Sequence, residues 1–201
     1  RDKFMPIWAD FFYQVVFHQP CPEHVKTLIV NHASDVVNAL KCCKLRNMKT
    51  RKQLTDWLVD KLVKNELPYT FPPGLSLLQQ AHFLQGTFFN TAILQMSEAM
   101  THLFLALAQH PECQNRLREE DNNTYLDNVI NESLRLYPLF GIAHRITTEP
   151  MEYNGETLKE NTVVCFNYPD YHKMGYENAD QFDITRQQNR HLTFGQGIHL
   201  C

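Results

Sequence analysis

Hydrophobic residues recur every three or four positions through the first half of the chain, a spacing that predicts amphipathic helices. The apolar run "FFYQVVF" at 11–17 ends at "QPCP", where two prolines interrupt the pattern. Residues 23–43 and 50–65 each gather apolar side chains near one helical face. The first face consists of Val25, Ile29, Ala33, Val36, Val37 and Leu40, and the second of Leu54, Trp57, Leu58, Leu62 and Val63.

One long helix is predicted over residues 75–109, after the chain-breaking "PYTFPPG" at 68–74. Its apolar positions at three- and four-residue steps are Ile93, Met96, Met100, Leu103, Phe104 and Leu107. A helix of about 35 residues exceeds the usual globular length. We therefore expect it to cross the middle of a domain or to be broken part-way.

The pattern changes in the last third of the chain. "HPE" at 110–112 ends the long helix and begins a short charged one, and a further helix is predicted over 124–137, before Pro138. Residues 151–169 carry an Asn-Gly turn followed by β-branched residues, which favours short strands. We predict one mainly α domain over residues 1–201, with a helical region at 1–137, a β element and meander at 138–190, and a loop at 191–201.

Composition excludes some classes of protein. The chain has 201 residues, 43% hydrophobic and 20% charged, and a formal net charge of -3, so no global field favours nucleic acid. No reader motif accompanies the basic run at 41–52. No stretch of about 18 apolar residues predicts a membrane span. The chain begins on Arg1 and stops inside a loop, so we expect a sequence cut at both ends.

The six cysteines match neither a C-x-x-C zinc pattern nor a compact disulfide scaffold. This spacing indicates a reducing compartment and mostly buried thiols. They are Cys21, Cys42, Cys43, Cys113, Cys165 and Cys201.

Two short segments carry candidate chemistry. Glu132 and Arg135 share a helical face, and alone they would indicate a surface ion pair. The tail "HLTFGQGIHLC" at 191–201 has two glycines that permit close backbone approach to a metal or flat cofactor, and it ends on Cys201. Backbone N–H groups in such a loop stabilise a thiolate. The alternatives are a glycine hairpin with a buried cysteine, or a zinc site of His191, His199 and Cys201, which lacks a clear fourth ligand.

Together these segments resemble the cytochrome P450 family. "FGQGIHLC" resembles that family's cysteine-ligand loop F-x-x-G-x-x-x-C, and "ESLRLYP" at 132–138 its E-x-x-R helix. "QFDITR" at 181–186 resembles its meander, and "LALAQHPECQNRLREE" the end of its long central helix. The resemblance is specific over about residues 90–201, while residues 1–80 are compatible with it. It implies the C-terminal half to two-thirds of the cytochrome P450 fold, with haem b as cofactor.

The resemblance assigns roles residue by residue. Cys201 is expected to ligate the haem iron, since a thiolate donates electron density that favours O–O cleavage. The expected cofactor-binding residues are Arg145, Phe194, Gly195, Gly197, His199 and Cys201, with Arg145 and His199 as donors to the haem propionates. Glu132, Arg135 and Arg186 are expected to form a buried structural charge triad. The expected substrate pocket is Leu139, Phe140, Gly141, Ile142 and Ala143; alternatively, this stretch simply enters a strand.

The central helix departs from the family pattern. An acid and a threonine usually lie near the iron, but a gapless count from His110–Pro111 places Leu94 and Gln95 there. Thr91 and Gln95 are four apart, so both can face one side and organise a water. Alternatively, they are ordinary polar residues in a kinked helix.

We therefore expect a haem–thiolate monooxygenase that acts on a hydrophobic small molecule with O2. Electrons would come from a separate ferredoxin or reductase, because no flavin- or nicotinamide-binding segment is present. The alternatives are a haem–thiolate isomerase, dehydratase or peroxide-dependent enzyme, and a non-catalytic relative acting as a partner protein. The motifs are similar to those of the soluble bacterial branch, which implies a cytoplasmic protein.

Overall fold

The computed structural model describes residues 1–40, 45, 47–186, 189 and 191–200. Contacts between Cα atoms divide the chain into two compact units, Arg1–Thr101 and His102–Cys201. The single domain expected from the sequence stays a prediction.

The first unit is helical throughout its regular elements. Local sequence explains several of its helix ends. Asn47 precedes α3, and its side chain accepts hydrogen bonds from the backbone amides of Lys49 and Thr50 at 3.1 and 3.3 Å. Ser76 and Gln79 form a capping box before α4. The elements are α1 (Met5–Phe17), α2 (Glu23–Leu40), α3 (Met48–Val63), α4 (Leu77–Gly86), a π-helical segment (Thr87–Ala92) and α5 (Ile93–Gln109), which continues into the second unit.

The predicted long helix is present, but it changes pitch part-way. The π-helical segment separates α4 from α5, and π turns inside α-helices are rare and often lie at functional sites. Within this segment Phe89 is fully buried, and its ring stacks on that of Phe17 at 6.4 Å. The core of this unit combines apolar residues of α1, α2, α3 and α4, including Val16, Ile29, Leu54, Leu58 and Leu84.

Two of the apolar positions that carry the helical spacing are exposed. Val63 is 65% exposed at the last turn of α3, and Phe104 is 49% exposed on α5. The expectation of mostly buried thiols holds for Cys21 and Cys113, whereas Cys165 is exposed. The other three cysteines lie outside the described residues.

The second unit combines short helices with two small antiparallel sheets. In the first sheet, Ile142 pairs with Asn167 and Ile146 with Val163. The second sheet is a hairpin whose turn residues Asn154 and Gly155 both have positive φ, as the Asn-Gly pair predicts. The elements are α6 (Pro111–Glu119), α7 (Asn123–Leu136), β1 (Ile142–Ile146), β2 (Met151–Tyr153), β3 (Glu156–Leu158), β4 (Val163–Asn167), α8 (Tyr168–Tyr171) and a 3-10 turn (Gly197–His199). None of the helices in the described part of the chain is long and apolar enough to cross a membrane.

Candidate functional site

A buried ion pair lies on α7. Glu132 and Arg135 are one helical turn apart, and both side chains are fully excluded from solvent. The contact is bidentate: Arg135 Nε donates to Glu132 Oε2 and Nη2 donates to Oε1, each at 2.7 Å. This planar geometry gives the strong form of a charge-assisted hydrogen bond. Burial therefore contradicts the surface ion pair that the two residues alone would indicate.

Arg135 also binds the irregular segment that follows α8. Nη1 donates to the backbone carbonyls of Ala179 at 2.8 Å and His172 at 3.3 Å, and Nη2 donates to the carbonyl of Gln181 at 3.1 Å. All five N–H groups of the guanidinium consequently have acceptors. The buried charge thus holds the meander against α7.

Arg186 completes the cluster expected from the sequence. Its Nε donates to Glu132 Oε1 at 3.2 Å, and its Nη2 donates to the carbonyl of Asn178 at 2.8 Å. The ring of Tyr176 lies 5.4 Å from the Arg135 guanidinium and 5.1 Å from that of Arg186, within the range of cation–π attraction. The structure thus brings Glu132, Arg135 and Arg186 together in one buried cluster.

Two further donors to Glu132 were missed by sequence reasoning. Asn189 Nδ2 donates to Oε2 at 2.9 Å, and the backbone amide of Asp183 donates to Oε1 at 2.9 Å. The sequence could have indicated further donors, because a carboxylate accepts about four hydrogen bonds and the two predicted arginines do not supply all of them. Hydrogen bonds from the Thr185 hydroxyl and amide lower the pKa of Asp183. That carboxylate is a second negative charge near the two guanidinium groups.

A buried histidine, also missed, connects this cluster with the cysteine loop. His172 has no exposed surface. Its Nδ1 lies 3.2 Å from the carbonyl oxygen of Arg135, and its Nε2 accepts a hydrogen bond from the amide of Leu192 at 2.7 Å. Burial lowers the pKa of His172 and of the neighbouring His191 below the ordinary value of 6.5.

A cavity of about 300 Å³ adjoins the first part of the loop. It brings together residues from three segments that are separate in sequence: the stretch after α7, the first sheet and the loop. The lining residues include Phe140, Arg145, Phe166, Thr193, Gly195 and Gln196. Of the predicted pocket residues, Phe140 lines this cavity, while Ile142 and Ala143 belong to β1.

Two donors beside this cavity suit an anionic group. Arg145 is exposed on β1, and within the described ranges no carboxylate pairs with it; Nη1 donates only to the carbonyl of His144 at 2.8 Å. The Thr193 hydroxyl is buried and has no hydrogen-bond partner in the described part of the chain. A guanidinium, a free hydroxyl and the rings of Phe140 and Phe166 fit a flat apolar cofactor that carries carboxylates. The residues present therefore fit haem.

The loop itself is described as far as residue 200. Gly195 and Gly197 have φ of 75° and 61°, values that favour glycine over residues with a Cβ. Phe194 is 52% exposed, and its ring lies 5.7 Å from that of His191. The predicted ligand Cys201 and the side chain of His199 lie outside the described residues. The zinc alternative depends on them, and the described residues contain no group of three or more potential metal ligands.

The predicted distal pair lies in the first unit. Thr91 is exposed in the π-helical segment, and Gln95 is partly buried in the first turn of α5. Neither side chain has a hydrogen-bond partner among the residues described. Two nearby polar atoms that sequence reasoning missed, Asn90 Oδ1 and Ser97 Oγ, are buried and have no hydrogen-bond partner in the part of the chain that the structure describes.

The sequence model described as Cytochrome P450 matches residues 84–201. A cytochrome P450 named CYP107DY1, from Priestia megaterium, is 31% identical over 170 residues, which cover 77% of this chain and 40% of that protein. A biotin biosynthesis cytochrome P450 from Bacillus subtilis is 33% identical over 99 residues, covering 48% of this chain and 25% of that protein. The chain thus spans less than half the length of these curated relatives.

Solved cytochrome P450 structures superimpose on this chain. P450BioI, in a complex with an acyl carrier protein ligated to hexadec-9Z-enoic acid, superimposes with a TM-score of 0.78 at 22% identity. That alignment covers 98% of this chain and 55% of the other. CYP109E1 from Bacillus megaterium, in complex with testosterone, gives a TM-score of 0.75 at 20% identity, with 98% and 56% coverage. The expected partial cytochrome P450 fold is confirmed.

Proposed function

The chain belongs to the cytochrome P450 family, and on that premise we propose that the protein is a haem–thiolate monooxygenase of a hydrophobic small organic molecule. Haem b is the cofactor of this family. The main support for the proposal is that the family model matches residues 84–201, a range that includes the complete F-x-x-G-x-x-x-C motif. A protein without haem has no need of the thiolate at Cys201.

The residues of the loop and the cavity would bind different parts of the cofactor. Haem, when bound, supplies the iron at which O2 is activated, and Cys201 would donate its thiolate to that iron. Gly195 and Gly197 allow the loop backbone to turn toward the cofactor. Arg145 and Thr193 would donate to propionate oxygens, and His199 would do the same from the end of the loop.

The charge cluster would act on the cofactor indirectly. Glu132 contacts Asn189, only two positions before the 191–201 loop, and Arg186 just upstream. Because both contacts are made to a fully buried carboxylate, they fix the chain that leads into the loop. The cluster would thereby hold the thiolate in place without touching substrate.

The cavity wall indicates the kind of substrate. Phe140 and Phe166 present apolar rings, both close to half exposed, and apolar walls select hydrophobic molecules. We propose the stretch Leu139–Ala143 as part of the substrate pocket, and a separate ferredoxin or reductase as electron donor.

A second candidate is a haem–thiolate isomerase, dehydratase or peroxide-dependent enzyme. It is favoured by Leu94 and Gln95, which occupy the positions where the family usually carries an acid and a threonine for proton delivery. Leu94 cannot transfer a proton, and the amide of Gln95 can only orient a water.

The reduced carbon-monoxide complex of the full-length protein tests haem–thiolate ligation. We expect the long-wavelength absorption of a thiolate-bound haem in the wild type and in Cys165→Ser, whose thiol is exposed on β4. Cys201→Ser should lose that absorption. A wild type that lacks it, or a Cys201→Ser variant that keeps it, would contradict the proposal.

Turnover then separates the two candidates. A monooxygenase consumes O2 and reducing equivalents in proportion to product, whereas a peroxide-dependent enzyme or an isomerase works without O2. Product formation under strict anaerobiosis would overturn the monooxygenase proposal while leaving haem–thiolate ligation intact.

A further inference from the structure

His172 bridges two parts of the chain that are distant in sequence. Its imidazole contacts the carbonyl oxygen of Arg135 on α7 through Nδ1, at 3.2 Å, and the amide of Leu192 through Nε2, at 2.7 Å. Leu192 is the second residue of the 191–201 loop. The backbone carbonyl of His172 in turn accepts a hydrogen bond from Arg135 Nη1 at 3.3 Å.

The two partners determine the protonation of the ring. A backbone carbonyl only accepts hydrogen bonds and a backbone amide only donates them. Nδ1 must therefore carry the hydrogen, and Nε2 must offer its lone pair to Leu192. A second proton, on Nε2, would point at the Leu192 N–H and abolish that hydrogen bond.

Burial is the largest influence on the pKa of His172 and lowers it, and the nearby charges of His191 and Arg135 lower it too, whereas the hydrogen bond to the Arg135 carbonyl raises it. The charged or titratable groups around it are Arg135, whose charge is matched by Glu132, and His191, whose ring centroid lies 6.0 Å away. Tyr168 and Tyr171 pack at 5.9 and 6.1 Å. No carboxylate in the described ranges contacts the imidazole, and burial lowers the pKa of His172.

We propose that His172 is a positioning residue for the cysteine loop: as neutral imidazole it holds Leu192 to Arg135 of α7, so that the beginning of the loop and the charge cluster move as one body. This inference rests on the proposed haem–thiolate function. Uptake of a proton from solvent at Nε2 releases Leu192, and thiolate ligation is then lost on acidification before the chain unfolds.

The test uses the haem-loaded full-length protein as wild type, His172→Gln, His172→Leu, His191→Gln and His24→Gln. Gln at 172 keeps an uncharged acceptor for Leu192, Leu removes it, and His24 is an exposed control on α2. One readout is the fraction of the reduced carbon-monoxide complex with thiolate-type absorption, between about pH 8 and 5, where histidine titrates. The other is hydrogen exchange of the Leu192 amide, by mass spectrometry of peptides covering it.

We expect the wild type, His191→Gln and His24→Gln to lose the thiolate-type fraction as the pH falls, and His172→Gln to keep it. In His172→Leu the Leu192 amide should exchange at least about tenfold faster at every pH, since the acceptor that it has among the described residues is gone. A wild type without this pH dependence, a His172→Gln profile that follows the wild type, or an unchanged Leu192 exchange rate would overturn the inference. So would a loss of pH dependence in His191→Gln.

A different measurement would contradict the proposed haem–thiolate function itself. A wild type that shows no thiolate-type absorption even at pH 8 contradicts haem–thiolate ligation. The exchange rate of the Leu192 amide in His172→Leu and His172→Gln then decides alone whether His172 holds the loop.

Discussion

Glu132→Ala removes the one carboxylate on which the buried cluster depends. The side chain accepts five hydrogen bonds at 2.7 to 3.2 Å, from Arg135, Arg186, Asn189 and the Asp183 amide. Arg135 is fully buried and the Arg186 side chain is 9% exposed. Two guanidinium groups would then remain out of water without their carboxylate.

The expected cost is large compared with the stability of a domain. Breaking a buried ion pair by removing one partner costs about 3–5 kcal/mol, against a total unfolding free energy of roughly 5–15 kcal/mol. We expect Glu132→Ala to fold weakly and to be recovered without haem. Glu132→Gln should reduce the unfolding free energy by less, because the amide oxygen of the new side chain still accepts hydrogen bonds. The Asn189 amide can also turn, so that its Oδ1, which is buried without a partner in the described residues, accepts a hydrogen bond from the new NH2 group.

Denaturant unfolding and haem content per polypeptide measure both effects. The matched control is Glu120→Ala, which removes an i,i+4 ion pair with Arg116 whose side chains are 45% and 51% exposed; such surface pairs contribute about 0–1 kcal/mol. Normal haem occupancy in Glu132→Ala, or a loss of stability no greater than that of Glu120→Ala, would refute the reasoning.

Three further predictions follow from the loop and the cavity. Arg145→Leu should release haem to an acceptor protein roughly tenfold or more faster than the wild type, because a hydrogen bond to a charged group contributes about 1.5–3 kcal/mol; an unchanged transfer rate would remove Arg145 from the cofactor site. Burial lowers the pKa of His172 and His191 in the folded protein, so below pH 6.5 the unfolded chain binds more protons than the folded chain does. The unfolding free energy should therefore fall as the pH falls, until the pH reaches the lowered folded-state pKa values. An unfolding free energy that stays constant between pH 7 and 5 in denaturation experiments would contradict this. Gly197→Ala should destabilise the folded protein by about 1 kcal/mol, because φ at this position is 61°. The control Gly86→Ala lies in a helix with open space at Cβ and should be neutral or stabilising by up to about 1 kcal/mol. Equal thermal midpoints for the two variants would argue against backbone strain at Gly197.

The helical spacing of hydrophobic residues predicted where the helices lie, but it did not predict which residues each helix contacts. The segments 23–43, 50–65 and 124–137 correspond to α2, α3 and α7 within a few residues. Local side-chain spacing is sufficient for such elements, since a helix is built from contacts between near neighbours in the chain. Phe104 has the right spacing for a core position on α5 but is 49% exposed, because spacing identifies a shared face and not what packs against it.

The spacing of hydrophobic residues did not predict the π-helical segment or the bounds of strand β1. The extra residue per turn at Thr87–Ala92 leaves no mark in the hydrophobic spacing, whereas the structure shows that Phe89 of this segment is buried against Tyr13 and Phe17 of α1. Strand β1 forms only because β4, which begins at Val163, supplies its hydrogen-bond partners. Pairing over such a separation depends on the tertiary fold.

By itself the sequence determined the helical class, the cytochrome P450 motifs and the three charged residues Glu132, Arg135 and Arg186, because short motifs record residue types that the chemistry requires. Only the tertiary structure decided how those charges are satisfied and how the cysteine loop is attached to them. Asn189 and His172 act through contacts 57 and 37 residues away along the chain. Contacts of this kind carry no local pattern, since burial and hydrogen-bond geometry appear only once distant segments pack together.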